Sequence, residues 1–204
     1  MDIKICGLTN AEDARCAVEA GADFLGFVLY AGSPRGITVQ ALAQIRDDLT
    51  TDIPIVAVMV NPTCEEAIAA VEIGGADIVQ IHGGVGFDDF RGFPYSLWRA
   101  VAAGNGFSDP DPAHWPAARY VVDAAVPGQY GGTGVCADWD EASRLAGKYP
   151  VMLAGGLKAH VVTAAIQAVR PLGVDVSSGV ELAPGKKDHA LVQAFIAAVR
   201  SVVA

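Results

Sequence analysis

Eight short runs of β-branched and apolar residues recur along the chain, separated by stretches whose apolar residues repeat at helical spacing. That alternation limits the fold more than any other feature. The runs are DIKIC (2–6), DFLGFVL (23–29), PIVAVMV (54–60), DIVQIH (77–82), SLWRAV (96–101), RYVVDA (119–124), PVMLAG (150–155) and GVDVSSG (173–179). Most are apolar on both alternating faces, as parallel strands are when helices cover one side and a closed core the other. Segments 10–21, 38–49, 63–74, 137–147, 158–170 and 188–203 read as amphipathic helices between them. TNAE and SPRGIT offer polar helix starts, and EAGAD and IGGAD place glycine where a left-handed helix end needs one. EAGADFLGFV, EIGGADIVQI and RPLGVDVSSG also echo one another as helix end, small residue, Asp and strand, which makes the repeating unit a βα unit.

Eight such units in 204 residues, with no Pro/Ser-rich linker, predict an α/β fold: one domain, 1–204, closed as a (β/α)8 TIM barrel. A doubly wound open sheet is the alternative, although the first turn, CGLTNA, lacks the G-x-G-x-x-G of its dinucleotide-binding form. GGVGFDDFRGF and AAGNGFSDPDPAHWPA, after the fourth and fifth runs, are poor in helical period, so the helices around strands 4 to 6 are expected to be short or degenerate.

Charge narrows the function. With 14 Lys and Arg against 23 Asp and Glu, the net charge of −9 leaves no basic stripe for nucleic acid. An anionic ligand must then be held by a locally built site. No apolar run approaches the roughly 20 residues that span a bilayer, and MDIKIC does not open like a signal peptide, so a cytoplasmic protein without membrane contact is expected. Cys6, Cys16, Cys64 and Cys136 are far apart with no C-x-x-C, which argues for reduced thiols and no metal site.

In a barrel of this kind chemistry sits at the carboxyl ends of the strands. Gly155, Gly156, Ser177, Ser178 and Gly179 fall after strands 7 and 8, where backbone N–H groups converge on phosphate, although glycines there also serve tight turns. Asp123 closes an apolar strand and suits a general acid or a structural cap. Arg35 follows the proline-stiffened turn of SPRG and is a candidate for gripping a carboxylate. His82 ends strand 4, as a substrate contact or a satisfied strand-end residue, and Asp175 in DVSSG is a further substrate-binding candidate. His114, His160 and His189 read as surface, and Cys16, Cys64 and Cys136 as small hydrophobes. Cys6 differs: it ends a central strand at the rim, and the helix start in TNAE offers a dipole that favours a thiolate, either nucleophile or base.

Taken together, KICGLTNAEDA, GADFLGFVLYAGSPRGI, VMVNPT, DIVQIHG, VVDAAV…GGTG, PVMLAGGL and RPLGVDVSSGVELAPGKKD resemble the phosphoribosylanthranilate isomerase family of tryptophan biosynthesis across nearly the whole chain. The resemblance implies a cofactor-independent, metal-free Amadori rearrangement of N-(5-phosphoribosyl)anthranilate, a phosphorylated small-molecule substrate; for the assembly, either a monomer or a homodimer is expected. It implies Cys6 as general base, Asp123 as general acid, Arg35 as the anthranilate carboxylate clamp, and Gly155, Gly156, Ser178 and Gly179 at the phosphate. Val135-Cys136 after GGTG, Arg99 in strand 5 and Ala124 after the acid depart from the family pattern, which touches the loop contacts and the strand-5 role. A phosphosugar-binding barrel without activity, or an isomerase of a related aminoaldose, is the other reading.

Overall fold

The computed structural model describes residues 1–104, 107–124 and 138–203. Eight parallel strands close on themselves: β1 (Asp2–Leu8), β2 (Phe24–Val28), β3 (Ile55–Val60), β4 (Ile78–His82), β5 (Ser96–Gly104), β6 (Arg119–Ala124), β7 (Val151–Leu153) and β8 (Gly173–Val176). Each pairs with the next, β8 pairs with β1, and no edge remains in the ring. The expected closed barrel is therefore the observed one, and the open sheet is not. Among the described residues, six helices cover the outside: α1 (Ala11–Ala20), α2 (Val39–Asp48), α3 (Cys64–Glu72), α4 (Trp139–Ala146), α5 (Ala159–Val169) and α6 (His189–Val203). None of these is long and apolar enough to cross a membrane.

Local chemistry explains the helix ends. Asn10 accepts from the backbone of Asp13, Thr38 from Ala41, and Thr63 forms a reciprocal capping box with Glu66. Gly21 ends α1 at φ 97°, a left-handed conformation that costs an L side chain roughly 1–2 kcal/mol.

Where the sequence is poor in helical period, helices are replaced. After β4 there is one 3-10 turn, Phe87–Phe90, and after β5 a short antiparallel return, Phe107–Asp109. The wall is covered instead by aromatic rings. Trp115 sits 5.6 Å from Phe87 and 6.1 Å from Phe90, and the Arg99 guanidinium lies 5.2 Å from its ring. These side chains bury the strand face that a helix would otherwise cover.

The period-2 alternation of strands sorts side chains into an outer layer under the helices and an inner one. The inner layer has an apolar base: Trp98 meets Phe24 edge-on at 4.9 Å, Val56, Ile78, Val121 and Met152 pack with it, and Arg119 lies over both rings. Above this plug the interior becomes polar, with Lys4, Gln80 and Asp175 all buried. The plug thus forms a dry floor under a polar chamber that opens at the carboxyl ends of the strands.

Candidate active site

That chamber is a cavity of about 440 Å3. It brings together the catalytic, substrate and phosphate candidates read from the sequence: Cys6, Arg35, His82, Asp123, Gly155, Gly156, Asp175, Ser177, Ser178 and Gly179 all line it. The GGTG segment and Val135-Cys136 lie outside the described residues. No group of three or more acidic, Cys or His side chains suited to a metal ion occurs among the described residues.

Cys6 points inward from β1, with 8% of its surface exposed. Space for it is made on the next strand. A Cβ at Gly26 would lie 2.8 Å from the Cys6 Sγ and 3.0 Å from the Lys4 Cε, so both side chains need the missing atom. Lys4 is two residues before Cys6 and faces the same way. Its Nζ donates to both carboxylate oxygens of Asp175, at 3.1 and 3.0 Å, across the β1–β8 seam where the two residues are register partners.

This corrects the electrostatics expected for the thiol. Burial pushes the Cys6 thiol up from its ordinary value; Lys4 pulls it down, Asp175 pushes it up, and Lys187 pulls it down more weakly. The positive influence comes from a buried lysine, and the thiol remains above its usual range. Lys4, despite full burial, is held above its own ordinary value by Asp175 and Cys6. Its alternation with Cys6 was the available signal, and the apolar reading of DIKIC concealed it.

Asp123 sits on β6, opposite Ala102 of β5 in register and partly exposed to the chamber. His82, at the end of β4, stands with Nε2 2.9 Å from the Gln80 amide nitrogen. Burial, then the cations Lys4 and Arg99, push its imidazolium form down to about 3, so the ring is neutral at ordinary pH. Arg99 faces away from the chamber. It donates to the carbonyls of Ile81, at 2.6 Å, and Gly83, which fixes the backbone on either side of His82.

Arg35 is placed differently from the simple clamp expected. Its side chain crosses Gly7, where a Cβ would come within 2.5 Å of the Arg35 Cδ, and its Nε and Nη2 donate to the two oxygens of Glu181 at 2.9 and 2.8 Å. One edge of the guanidinium fork is therefore taken, and the Nη1 end has no hydrogen-bond partner among the described residues. Glu181 is held in turn by Lys187 Nζ at 2.8 Å, and Lys187 reaches back to the Ser177 carbonyl at 3.2 Å. Arg35 and Lys187 keep the Glu181 carboxyl below its ordinary value against the opposing effect of its burial. Glu181 and Lys187 were missed in the sequence because their partner is 146 residues away in one case and a backbone carbonyl in the other.

The rim after β7 and β8 is made of backbone. Gly155 and Gly156 both take positive φ, 84° and 63°. Gly179 passes so close to the β7 loop that a Cβ would lie 1.9 Å from the Leu157 carbonyl oxygen. Ser177 and Ser178 complete the rim. Outside the mouth, His189 is not merely a surface histidine: its Nε2 is 2.9 Å from the buried Asp13, which also accepts from the Lys187 backbone. Cys16 is buried, while Cys64 opens α3 and is partly exposed.

The family model described as N-(5'phosphoribosyl)anthranilate (PRA) isomerase matches residues 3–198. The chain is 43% identical to the N-(5'-phosphoribosyl)anthranilate isomerase of Magnetococcus marinus over 97% of this chain and 94% of that protein. Its fold is similar to the crystal structure of phosphoribosyl anthranilate isomerase from Thermus thermophilus, with a TM-score of 0.88 and 33% identity, covering 99% of this chain and 100% of the other. It is similar as well to a phosphoribosyl anthranilate isomerase solved in complex with reduced 1-(o-carboxyphenylamino)-1-deoxyribulose 5-phosphate, with a TM-score of 0.84, 31% identity, and coverage of 98% and 99%. On this extent and level of identity, joined to a closed barrel with all ten expected residues at one mouth, the chain belongs to the phosphoribosylanthranilate isomerase family.

Proposed function

We propose that this chain, read as one (β/α)8 domain over 1–204, isomerises N-(5-phosphoribosyl)anthranilate to 1-(2-carboxyphenylamino)-1-deoxyribulose 5-phosphate in the biosynthesis of tryptophan. The observation that carries this reading is the convergence of a buried thiol, a carboxylate, an arginine and a glycine-lined rim on one cavity.

In this reading the phosphate lies against Gly155, Gly156, Ser177, Ser178 and Gly179, with Arg35 turned toward the anthranilate carboxylate and Asp175 and His82 lining the floor and wall. Asp123 gives its proton to the ribose ring oxygen, the bond from that oxygen to C1′ breaks, and the amine lone pair forms the Schiff base. Cys6, as thiolate, takes the C2′ proton. The C–H electron pair becomes the C1′=C2′ bond of the enolamine, and the Schiff-base pair returns to nitrogen. Asp123, now a carboxylate, takes the O2′ hydroxyl proton and Cys6 returns its proton to C1′, which gives the ketone and restores both side chains. The scheme balances with two side chains and no cofactor. Lys4 supplies the counter-charge that a buried thiolate requires.

The residues of the scheme all belong to this chain, which is compatible with a monomer or a homodimer. A cytoplasmic setting accords with the unpaired Cys6, Cys16 and Cys64. The direct test is turnover of phosphoribosylanthranilate by the purified protein, followed by the loss of anthranilate-adduct fluorescence. Saturable conversion is expected. No conversion, or preference for a different aminoaldose phosphate, overturns the reading.

A further inference from the structure

The two polar side chains that β4 turns into the barrel, Gln80 and His82, are joined to each other, and the reaction scheme assigns neither a proton. Gln80 is 1% exposed, and its amide nitrogen is 2.9 Å from His82 Nε2. Its carbonyl oxygen is buried without a hydrogen-bond partner among the described residues. Turning the amide end for end would leave an NH2 group, with two protons to place, where one acceptor now sits. The amide therefore donates and Nε2 accepts. A neutral imidazole that accepts at Nε2 carries its proton on Nδ1.

The surroundings oppose a second proton on the ring. Lys4 on β1 and Arg99 on β5 are the cations that act on it, the register partner on β3 is the uncharged Val60, and Asp175 on β8 is engaged by Lys4. Cys6 and Asp123 line the same chamber as the ring. A charged imidazolium there would be a competing proton source between the base and the acid. A neutral ring can donate one hydrogen bond without joining the proton traffic. Nδ1 has no protein partner among the described residues, and the partly exposed ring lines the cavity on the wall across from the β7–β8 rim.

We propose that His82 binds the ligand as a neutral Nδ1–H donor to a substrate oxygen across the mouth from the phosphate rim, with Gln80 as the positioning residue that fixes this tautomer. This rests on reading the mouth as the substrate site. A different tautomer would present a lone pair where the ligand needs a donor, so the Gln80 amide acts on binding without touching the substrate.

Nitrogen-15 NMR of the full chain labelled at its four histidines tests the tautomer directly. One ring, absent from a His82→Gln spectrum, is expected to stay protonated at Nδ1 from pH 5 to pH 9. Gln80→Glu, whose carboxylate accepts at Nε2, should move the proton to Nε2, and Gln80→Met should release the preference. Both should lower kcat/KM about 3- to 10-fold, the scale of one neutral hydrogen bond. A wild-type ring protonated at Nε2, or titrating between pH 5 and pH 8, overturns the proposal even if neither variant folds. So does a moved proton with unchanged kcat/KM. The rise in melting temperature with inorganic phosphate reports the substrate-site reading separately: its absence strikes that reading and leaves the tautomer measurement standing.

Discussion

At the β7–β8 rim the cavity is shaped by backbone, with two consecutive left-handed glycines and a third pressed against a carbonyl; beneath Cys6 it is shaped by buried charge, with Lys4 locked to Asp175. The rim can receive an anion through N–H groups that need little desolvation and no counter-ion. The floor holds an ammonium fully out of water, where it is tolerable only because a carboxylate grips it with two hydrogen bonds. In a chain of net charge −9, a paired cation stands beneath Cys6, while the rim is shaped by backbone alone. The two ends should therefore fail in different ways.

The sharpest separation is Cys6→Ala, which removes the proposed base and leaves the rim untouched. Isomerisation should fall by about 10²–10⁴-fold, while inorganic phosphate still raises the melting temperature. Turnover within twofold of wild type would end the assignment of the base. Lys4→Met breaks the floor by leaving Asp175 buried and unpaired, at an expected cost of about 3–5 kcal/mol in urea unfolding. The same change withdraws the cation that pulls the Cys6 thiol down, so the pH midpoint of its alkylation by iodoacetamide, followed by mass spectrometry, should move upward. A midpoint that stays in place would mean that Lys4 serves packing alone.

Arg35 connects the two regions. Arg35→Ala should cost roughly 1.5–3 kcal/mol, or about 10- to 150-fold in kcat/KM, for the anthranilate substrate and far less for an aniline analogue lacking the carboxylate. Equal losses on both substrates would assign Arg35 to holding Glu181 in place. The mildest effect on folding belongs to the rim. Gly156→Val forces a branched side chain into positive φ, costing about 1–3 kcal/mol, and should abolish competitive inhibition by phosphate while Cys6 keeps its alkylation profile. Retained phosphate inhibition would move the anion site elsewhere.

Much of this was legible in the sequence because the barrel is written in local patterns. The sixth strand lies where RYVVDA predicted it, Asn10 and Thr38 cap the helices that TNAE and SPRGIT announced, and the helix-poor GGVGFDDFRGF yields only a 3-10 turn. The seventh run was read too long, since strand pairing stops at Leu153 where the positive φ of Gly155 and Gly156 turns the chain away. What stayed hidden depends on partners distant in sequence. Glu181 takes one edge of Arg35, Gly26 makes room for a thiol on another strand, and Arg99 braces the backbone around His82 from outside the barrel. Spacing along one strand can say which way a side chain points, but not what waits across the barrel.

The pairing of Lys4 with Asp175 has a consequence in time. The two lie 171 residues apart and meet only where the first strand of the barrel joins the last. During synthesis the lysine leaves the ribosome early and must stay solvated, because burying it alone would cost several kcal/mol. Only when β8 arrives can the ring close and the ammonium go inside, beneath the thiol. Closure of the ring and delivery of the cation that offsets part of the burial cost on Cys6 are then a single event at one seam.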